Sequence, residues 1–495
     1  MTDHLLNDPR PAAADPRARG AEAAAGCVRA GSDRARRPQP VATQRDSRAP
    51  DHGNDGSPAR DGKQLERTLG VPGLTVHYIT SVIGTGVLIL PGHAAQSAGP
   101  LSLAAWVLLV AYSYPFALVF ARLSARHPTS QGLSGVVQLA FGSRWSRLTS
   151  TYLMLTLVVT NPVLGLAAAR YLLSMWYPAP ANLQVAAVGF GFVALSVLFN
   201  LLGLRASARV QAAVLGALIV FLVLVMAVAL PHAQAARLTP FAPHGWTALG
   251  PALIICFFGF IGWENAAPVA GEVINPRRTF PRAIRRAVAT VGFLYLSMAL
   301  TVVLVLPRDT TGSQQITAFS TLLQIATGHA LSQAGDMVAV VLLVLSMNAW
   351  TLGTSRVVYS QARTGLLPRR LARVSGRGNA PRAALLALLA GYAVPVGALM
   401  LSGRDESTLI TASSAAFLLI FLISFLAVRR LLEGRAIRWC IRLVTAGTLA
   451  FLPFSGVSML YAAILAILAA GLEYSAPWTR HAARRSQLPV SRPAR

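Results

Sequence analysis

From Val71 to Glu473 the chain is a succession of long apolar runs joined by short polar connections. Each run is continuous, without the residue-by-residue alternation of a half-buried strand. Runs of roughly 18–25 apolar residues with almost no charge predict membrane-spanning helices. Twelve can be delimited, at 74–96, 100–121, 148–174, 184–204, 209–230, 248–270, 286–306, 336–357, 383–402, 408–428, 439–454 and 457–473. In lipid only helices and closed barrels satisfy their own backbone, and unbroken apolar runs exclude the barrel. The predicted fold is all-α integral membrane with about twelve transmembrane helices. The last two spans are short and are parted only around Ser455-Gly456.

Residues 1–66 have another character. They are rich in Ala, Arg, Asp, Pro and Gly and carry almost no aromatic or β-branched residues. Such a segment buries too little apolar surface to offset its ordering entropy, and it has no h-region of a signal peptide. It reads as a disordered cytoplasmic tail, or as sequence upstream of a mis-assigned start. The expected organisation is therefore a tail at 1–66, a membrane domain at 67–475 and a basic cytoplasmic tail at 476–495.

Composition sharpens this picture. Hydrophobic residues make up 54% of the chain and charged residues 13%, about half the charge of an ordinary soluble domain. The formal charge of +26 comes from one lysine and 43 arginines, and their placement follows membrane topology, not a nucleic-acid surface. With the N-terminus inside, the cytoplasmic loops and C-terminal tail hold 28 arginines, against 4 outside: Arg170, Arg237, Arg308 and Arg404. That is the positive-inside pattern, and it predicts a multi-pass inner-membrane protein with both termini cytoplasmic. Cys27, Cys256 and Cys440 are far apart and form no CxxC pair, so neither a disulfide framework nor a zinc site is expected. No nucleotide-binding GxxxxGK[ST] is present, which points away from ATP-driven transport.

Two spans are punctuated by residues that interrupt helices. The first reads TSVIGTGVLILPG, with Gly84-Thr85-Gly86 mid-span and Pro91-Gly92 beyond; the sixth reads ICFFGFIGWENAAPVAG, with Gly259, Gly262, Glu264 and Pro268. Either alone fits close helix packing. Together, at corresponding places in two five-span halves, they point to a transporter binding site. Because five is odd, a repeat of spans 1–5 onto 6–10 must be inverted. Unwound backbone at membrane depth frees N–H and C=O groups. The N-terminus of the following half-helix suits a carboxylate, and freed carbonyls suit an ammonium group. An α-amino acid carries both.

At these residues the chain resembles the amino acid–polyamine–organocation superfamily, and within it bacterial neutral amino-acid exporters of the methionine and branched-chain type. The likeness spans roughly residues 66–475. It rests on GTGVLILPG (84–92), ARLSARHPTSQGLSGVVQLAFG (121–142), NLLGLRASARVQ (200–211), FGFIGWENAAPVAGEVINPRRTFPRA (258–283) and SRVVYSQARTGLLP (355–368). The resemblance implies a five-plus-five inverted repeat of leucine-transporter type, with broken helices 1 and 6. It also implies secondary transport of an amino acid, without a cofactor or metal. The family's glycine stretch maps onto Gly84, Thr85 and Gly86, and its aromatic–glycine–acid stretch onto Phe260, Gly262, Trp263 and Glu264. With the flanking residues, the candidate substrate-binding set is Ile83, Gly84, Thr85, Gly86, Phe258, Gly259, Phe260, Gly262 and Trp263. One departure is the loop His127-Pro128-Thr129-Ser130-Gln131-Gly132, where the usual Pro-x-x-Gly-Gly keeps a single glycine.

Other polar residues within the spans have two readings each. Asn161, beside Pro162, either marks a plain kink or borders the central cavity. Asn348 and Thr351 either bond to neighbouring helices or line the cavity, and a sodium site in that eighth span stays open, as does proton coupling. Glu264 either gates and senses protons or is a hydrogen-bonded packing acid. Of the 18 acidic residues, ten lie in residues 1–66, and only Glu264 falls well inside a span. A cationic substrate would need a desolvated counter-charge, and a cation–π contact with Trp263 supplies only roughly 0.5–2 kcal/mol. The expectation is export or exchange of neutral, apolar amino acids by alternating access, as a monomer or homodimer in the bilayer. The alternatives are a cationic amino-acid or polyamine exchanger and a transport-dead sensor or scaffold; no clustered catalytic site suggests an enzyme.

Overall fold

The computed structural model describes residues 69–126, 132–177, 179–202, 208–266, 273–307, 317–363, 365–373 and 381–475. The two tails and the loop at 127–131 lie outside them. Among the described residues there are sixteen α-helices and no strand; one isolated parallel bridge joins Leu69 to Val273.

In chain order the helices are α1 (Val71–Leu88), α2 (Leu90–Ala98), α3 (Ser102–Arg126), α4 (Gly132–Phe141), α5 (Ser143–Thr160), α6 (Pro162–Ser174), α7 (Asn182–Leu201) and α8 (Ala208–Ala229). Then follow α9 (Leu249–Phe257), α10 (Pro276–Val305), α11 (Ala318–Thr327), α12 (His329–Arg363), α13 (Arg382–Ser402), α14 (Ser407–Leu431), α15 (Arg435–Phe451) and α16 (Ser458–Ser475). The ends follow local chemistry. Asn275 in the left-handed region precedes α10, with Pro276 at its first position, where a missing N–H costs nothing. Gly403 closes α13 in the left-handed conformation, the usual helix stop.

Among the described residues, ten apolar helices or stacked helix pairs are long enough to cross a membrane, so the protein is a multi-spanning all-α membrane protein. Two expected spans have another form. The run at 74–96 is divided between α1 and α2, and the run at 248–270 is a short apolar helix, Trp246–Phe260, followed by irregular turns. The sequence pattern did not delimit α4 and α11, and α10 begins ten residues before the predicted 286, because its first turns are arginine-rich.

The helices pack through small residues and aromatic rings. A Cβ added at Gly165 of α6 would lie 2.7 Å from the Gly189 carbonyl oxygen of α7, and one at Gly189 would lie 3.0 Å from the Leu166 Cα. Glycine is what lets these two backbones approach. Between α3 and α14, Phe116 meets Phe421 and Phe425 edge-on, with ring centres 4.8 and 5.3 Å apart, and Phe120 packs on both. The outward faces of α8 and α16 expose Val220, Leu224, Leu460, Ile464 and Ile467. In water such a belt would be a liability; in a bilayer it is the solvated face.

Arg170, counted in the sequence as an outer-side arginine, is buried. Its Nε donates to Glu406 Oε1 at 2.5 Å and its second amino nitrogen to Asn182 Oδ1 at 3.1 Å; the Asn182 amide in turn reaches the Gly403 carbonyl. Both charged side chains are at most 5% exposed. The pair ties α6 and the start of α7 to the entrance of α14.

Candidate functional site between the two interrupted segments

Inside α1 the backbone leaves helical geometry at Gly84 (φ −15°, ψ −106°). A second interruption at Ile89 separates α1 from α2. After α9, Phe258–Phe260 form a tight turn, Ile261 is extended (φ −72°, ψ 128°), and Gly262 sits at φ +130°. Trp263–Ala266 make another tight turn. Residues 267–272 lie outside the described set.

These two irregular stretches touch. A Cβ placed on Gly259 would lie 3.2 Å from the Gly86 Cα and 2.9 Å from the Leu90 side chain. One placed on Gly86 would overlap the Tyr295 phenol, and one on Gly262 would overlap the Ser81 carbonyl oxygen. Only glycine permits this approach, and Gly262 also needs its positive φ. Gly84 is less confined, since an added Cβ would meet only Ser346 of α12, 3.5 Å from its Oγ.

The other candidates fall around this contact. Ile83, Phe258 and Phe260 are buried. Phe260 packs edge-on against Tyr295 (5.3 Å) and beside Trp106 (6.0 Å). Trp263 is fully buried against Tyr78 of α1, ring centres 5.8 Å apart. The Thr85 side chain is outside the described set. Glu264 is buried, and its carboxylate accepts the Gly262 N–H at 3.0 Å. It thereby caps a backbone donor freed by the turn.

Asn161, Asn348 and Thr351 form a second polar centre. The Asn161 amide donates to Thr351 Oγ1 (2.9 Å) and to the Tyr392 hydroxyl (2.8 Å), and Ser196 donates to Thr351 at 2.8 Å. One turn away, Asn200 donates to the Asn348 side-chain oxygen at 2.6 Å. These bonds join α5, α7, α12 and α13. The chain continues helically through Asn161, so Pro162 does not break it. The network and Ser346, which faces Gly84, lie along the same stretch of α12.

Two tyrosines were not singled out in the sequence. The Tyr295 hydroxyl on α10 lies 2.9 Å from the Val82 carbonyl oxygen and 2.8 Å from that of Gly259. On α6, Tyr171 donates to the Leu88 carbonyl at 2.7 Å. Each serves a carbonyl beside an interruption. A lone tyrosine in an apolar run carries no sequence signal for this.

Residues 69–479 match the family model described as amino acid permease. An uncharacterized amino acid permease of Bacillus subtilis (strain 168) is 30% identical over 412 residues, covering 83% of this chain and 96% of the relative. The L-methionine/branched-chain amino acid exporter of Escherichia coli (strain K12) is 31% identical over 364 residues, 72% of this chain and 84% of the relative. Cationic amino acid transporter 4 of Homo sapiens is 26% identical over 345 residues, 65% of this chain and 54% of that protein. With ten membrane-length apolar helices among its described residues and this match over most of its length, the chain is a membrane transporter belonging to the amino acid permease family of the amino acid–polyamine–organocation superfamily.

Proposed function

We infer that the chain is a secondary transporter of neutral, apolar α-amino acids, working by alternating access in export or exchange. In this reading the segments at 74–96 and 248–270 are spans 1 and 6 of twelve, each a discontinuous helix, in an inverted repeat of 1–5 onto 6–10. The domain is 67–475, with cytoplasmic tails at 1–66 and 476–495. The observation that carries the reading is the approach of Gly86 to Gly259, which brings the helix interrupted at Gly84 against the irregular stretch after α9. Such a place presents backbone N–H and C=O groups held by side chains and not by a continuous helix ladder, where a carboxylate and an ammonium can both find partners.

The preference for a neutral side chain follows from where the acids are. Glu264 is engaged by the Gly262 N–H and Glu406 by Arg170. Asp336 is on α12, ten residues from Ser346, or about 15 Å along the helix axis. Among the described residues Glu264 is the one carboxylate of the two interrupted stretches, and it is turned onto the Gly262 N–H, not left open to a guanidinium or second ammonium, whose unpaired burial would be costly. The name of the Escherichia coli relative fits this choice; that of the human relative marks the rival.

Competition in proteoliposomes decides between them. Uptake of labelled leucine or methionine should be inhibited by leucine, methionine and valine well before arginine or agmatine. Arginine or agmatine competing about tenfold better than leucine, a difference of about 1.4 kcal/mol, would overturn the neutral reading.

A further inference from the structure

The Tyr295 phenol lies between the two interrupted segments and touches both. Its hydroxyl has one proton, yet two carbonyl oxygens stand within hydrogen-bonding distance, Val82 at 2.9 Å and Gly259 at 2.8 Å. In uninterrupted helices these carbonyls would take the N–H groups of Gly86 and Trp263, four residues on. The non-helical Gly84 and the extended Ile261 fall inside those two turns. Three oxygens thus converge, and the phenol brings one proton to them. A cluster of acceptor oxygens suits a group with several N–H bonds and positive charge.

Its surroundings hold it in place. Tyr295 is fully buried. Trp106 meets the ring edge-on at 5.1 Å and Phe260 at 5.3 Å. A Cβ at Gly86 would overlap the phenol, so that glycine is what admits it. A ring fixed on two sides, whose hydroxyl bridges two chain segments, sets the spacing of the carbonyls it touches.

We propose that Tyr295 is a positioning and specificity residue: its hydroxyl holds the Val82 and Gly259 carbonyls as an acceptor pair for the α-ammonium group of the substrate. This rests on the amino-acid transport reading given above and adds the residue that recognises the amine. The amine preference resides in α10, outside both interrupted segments. Without the hydroxyl the two carbonyls lose their common tether, and the advantage of a substrate with an ammonium over one without it shrinks.

The test uses the full chain in proteoliposomes and two ligands of the same shape, leucine and 4-methylpentanoate, which is leucine without its amine. Inhibition of labelled leucine uptake by each is measured for wild type and Tyr295→Phe, with size-exclusion elution as the check on folding. Wild type should prefer leucine strongly. Tyr295→Phe should raise the leucine KM about tenfold, as an ammonium–carbonyl bond is lost once its acceptor is no longer held in place, and leave 4-methylpentanoate inhibition unchanged. Trp106→Leu, which frees one side of the ring but keeps the hydroxyl, should move the preference the same way by a smaller factor. It also serves if Tyr295→Phe does not fold. Equal weakening of both ligands, or an unchanged leucine preference in a folded variant, would overturn the proposal while leaving the transport reading intact. Absence of amino-acid uptake by wild type would remove that reading and this inference with it.

Discussion

Glycine has three separate uses within a few ångströms here. Gly262 supplies a backbone conformation at φ +130° that L-residues avoid, and it leaves room for the Ser81 carbonyl. Gly86 leaves room for a phenol, and Gly259 for the opposing backbone. Gly84 supplies a departure from helical dihedrals with space to spare. The polar residues divide in the same local way. Glu264 takes the Gly262 N–H, Tyr171 serves the Leu88 carbonyl, and Tyr295 serves Val82 and Gly259. Each interruption therefore arrives with a side chain bonded to a backbone group beside it, in keeping with the need of buried polar groups for partners.

At the scale of elements, α12 links the parts. Ser346 faces Gly84, and Asn348 and Thr351 enter the network that joins α5, α7 and α13. A rigid helix touching both centres would carry movement at the interruption to the surrounding bundle. The Arg170–Glu406 pair has a different role, fixing α6 to the start of α14 at the far end of the same bundle. Removing one partner leaves the other charge buried and alone, which costs about 3–5 kcal/mol. Glu406→Leu alone should therefore lower the thermal midpoint of the purified protein strongly. The double variant Arg170→Leu/Glu406→Leu should recover most of that loss. A double variant no more stable than Glu406→Leu would show that the pair stabilises as an ion pair and not merely as a mutually satisfied contact.

For the whole molecule, the arginine distribution predicts which face meets the cytoplasm, with both termini inside and the loop at 231–247 outside. In a cysteine-free background, an impermeant thiol reagent added from the periplasmic side should label a cysteine at Ala236 and spare one at Glu433. The reverse pattern would invert the orientation. Much of the architecture was readable in advance, because lipid forces each crossing to be a long uncharged run. Gly84 and Gly262, where the backbone dihedrals depart from helical values, stand in the sequence as poor helix formers within otherwise uniform apolar runs. What could not be read were the long-range partners. Tyr295 and Tyr171 act on carbonyls that are free only once the chain is interrupted elsewhere, and Asn200 meets Asn348 across 148 residues of sequence. Arg170 read as one more outer-side arginine because Glu406, its partner, lies 236 residues away. We propose that substrate is held where Gly86 meets Gly259. The most direct test is equilibrium binding of labelled methionine to purified wild type and Gly86→Val, both checked for monodisperse elution. Saturable binding to wild type that leucine displaces, lost in a monodisperse Gly86→Val, is the predicted result; equal binding to both proteins would contradict it.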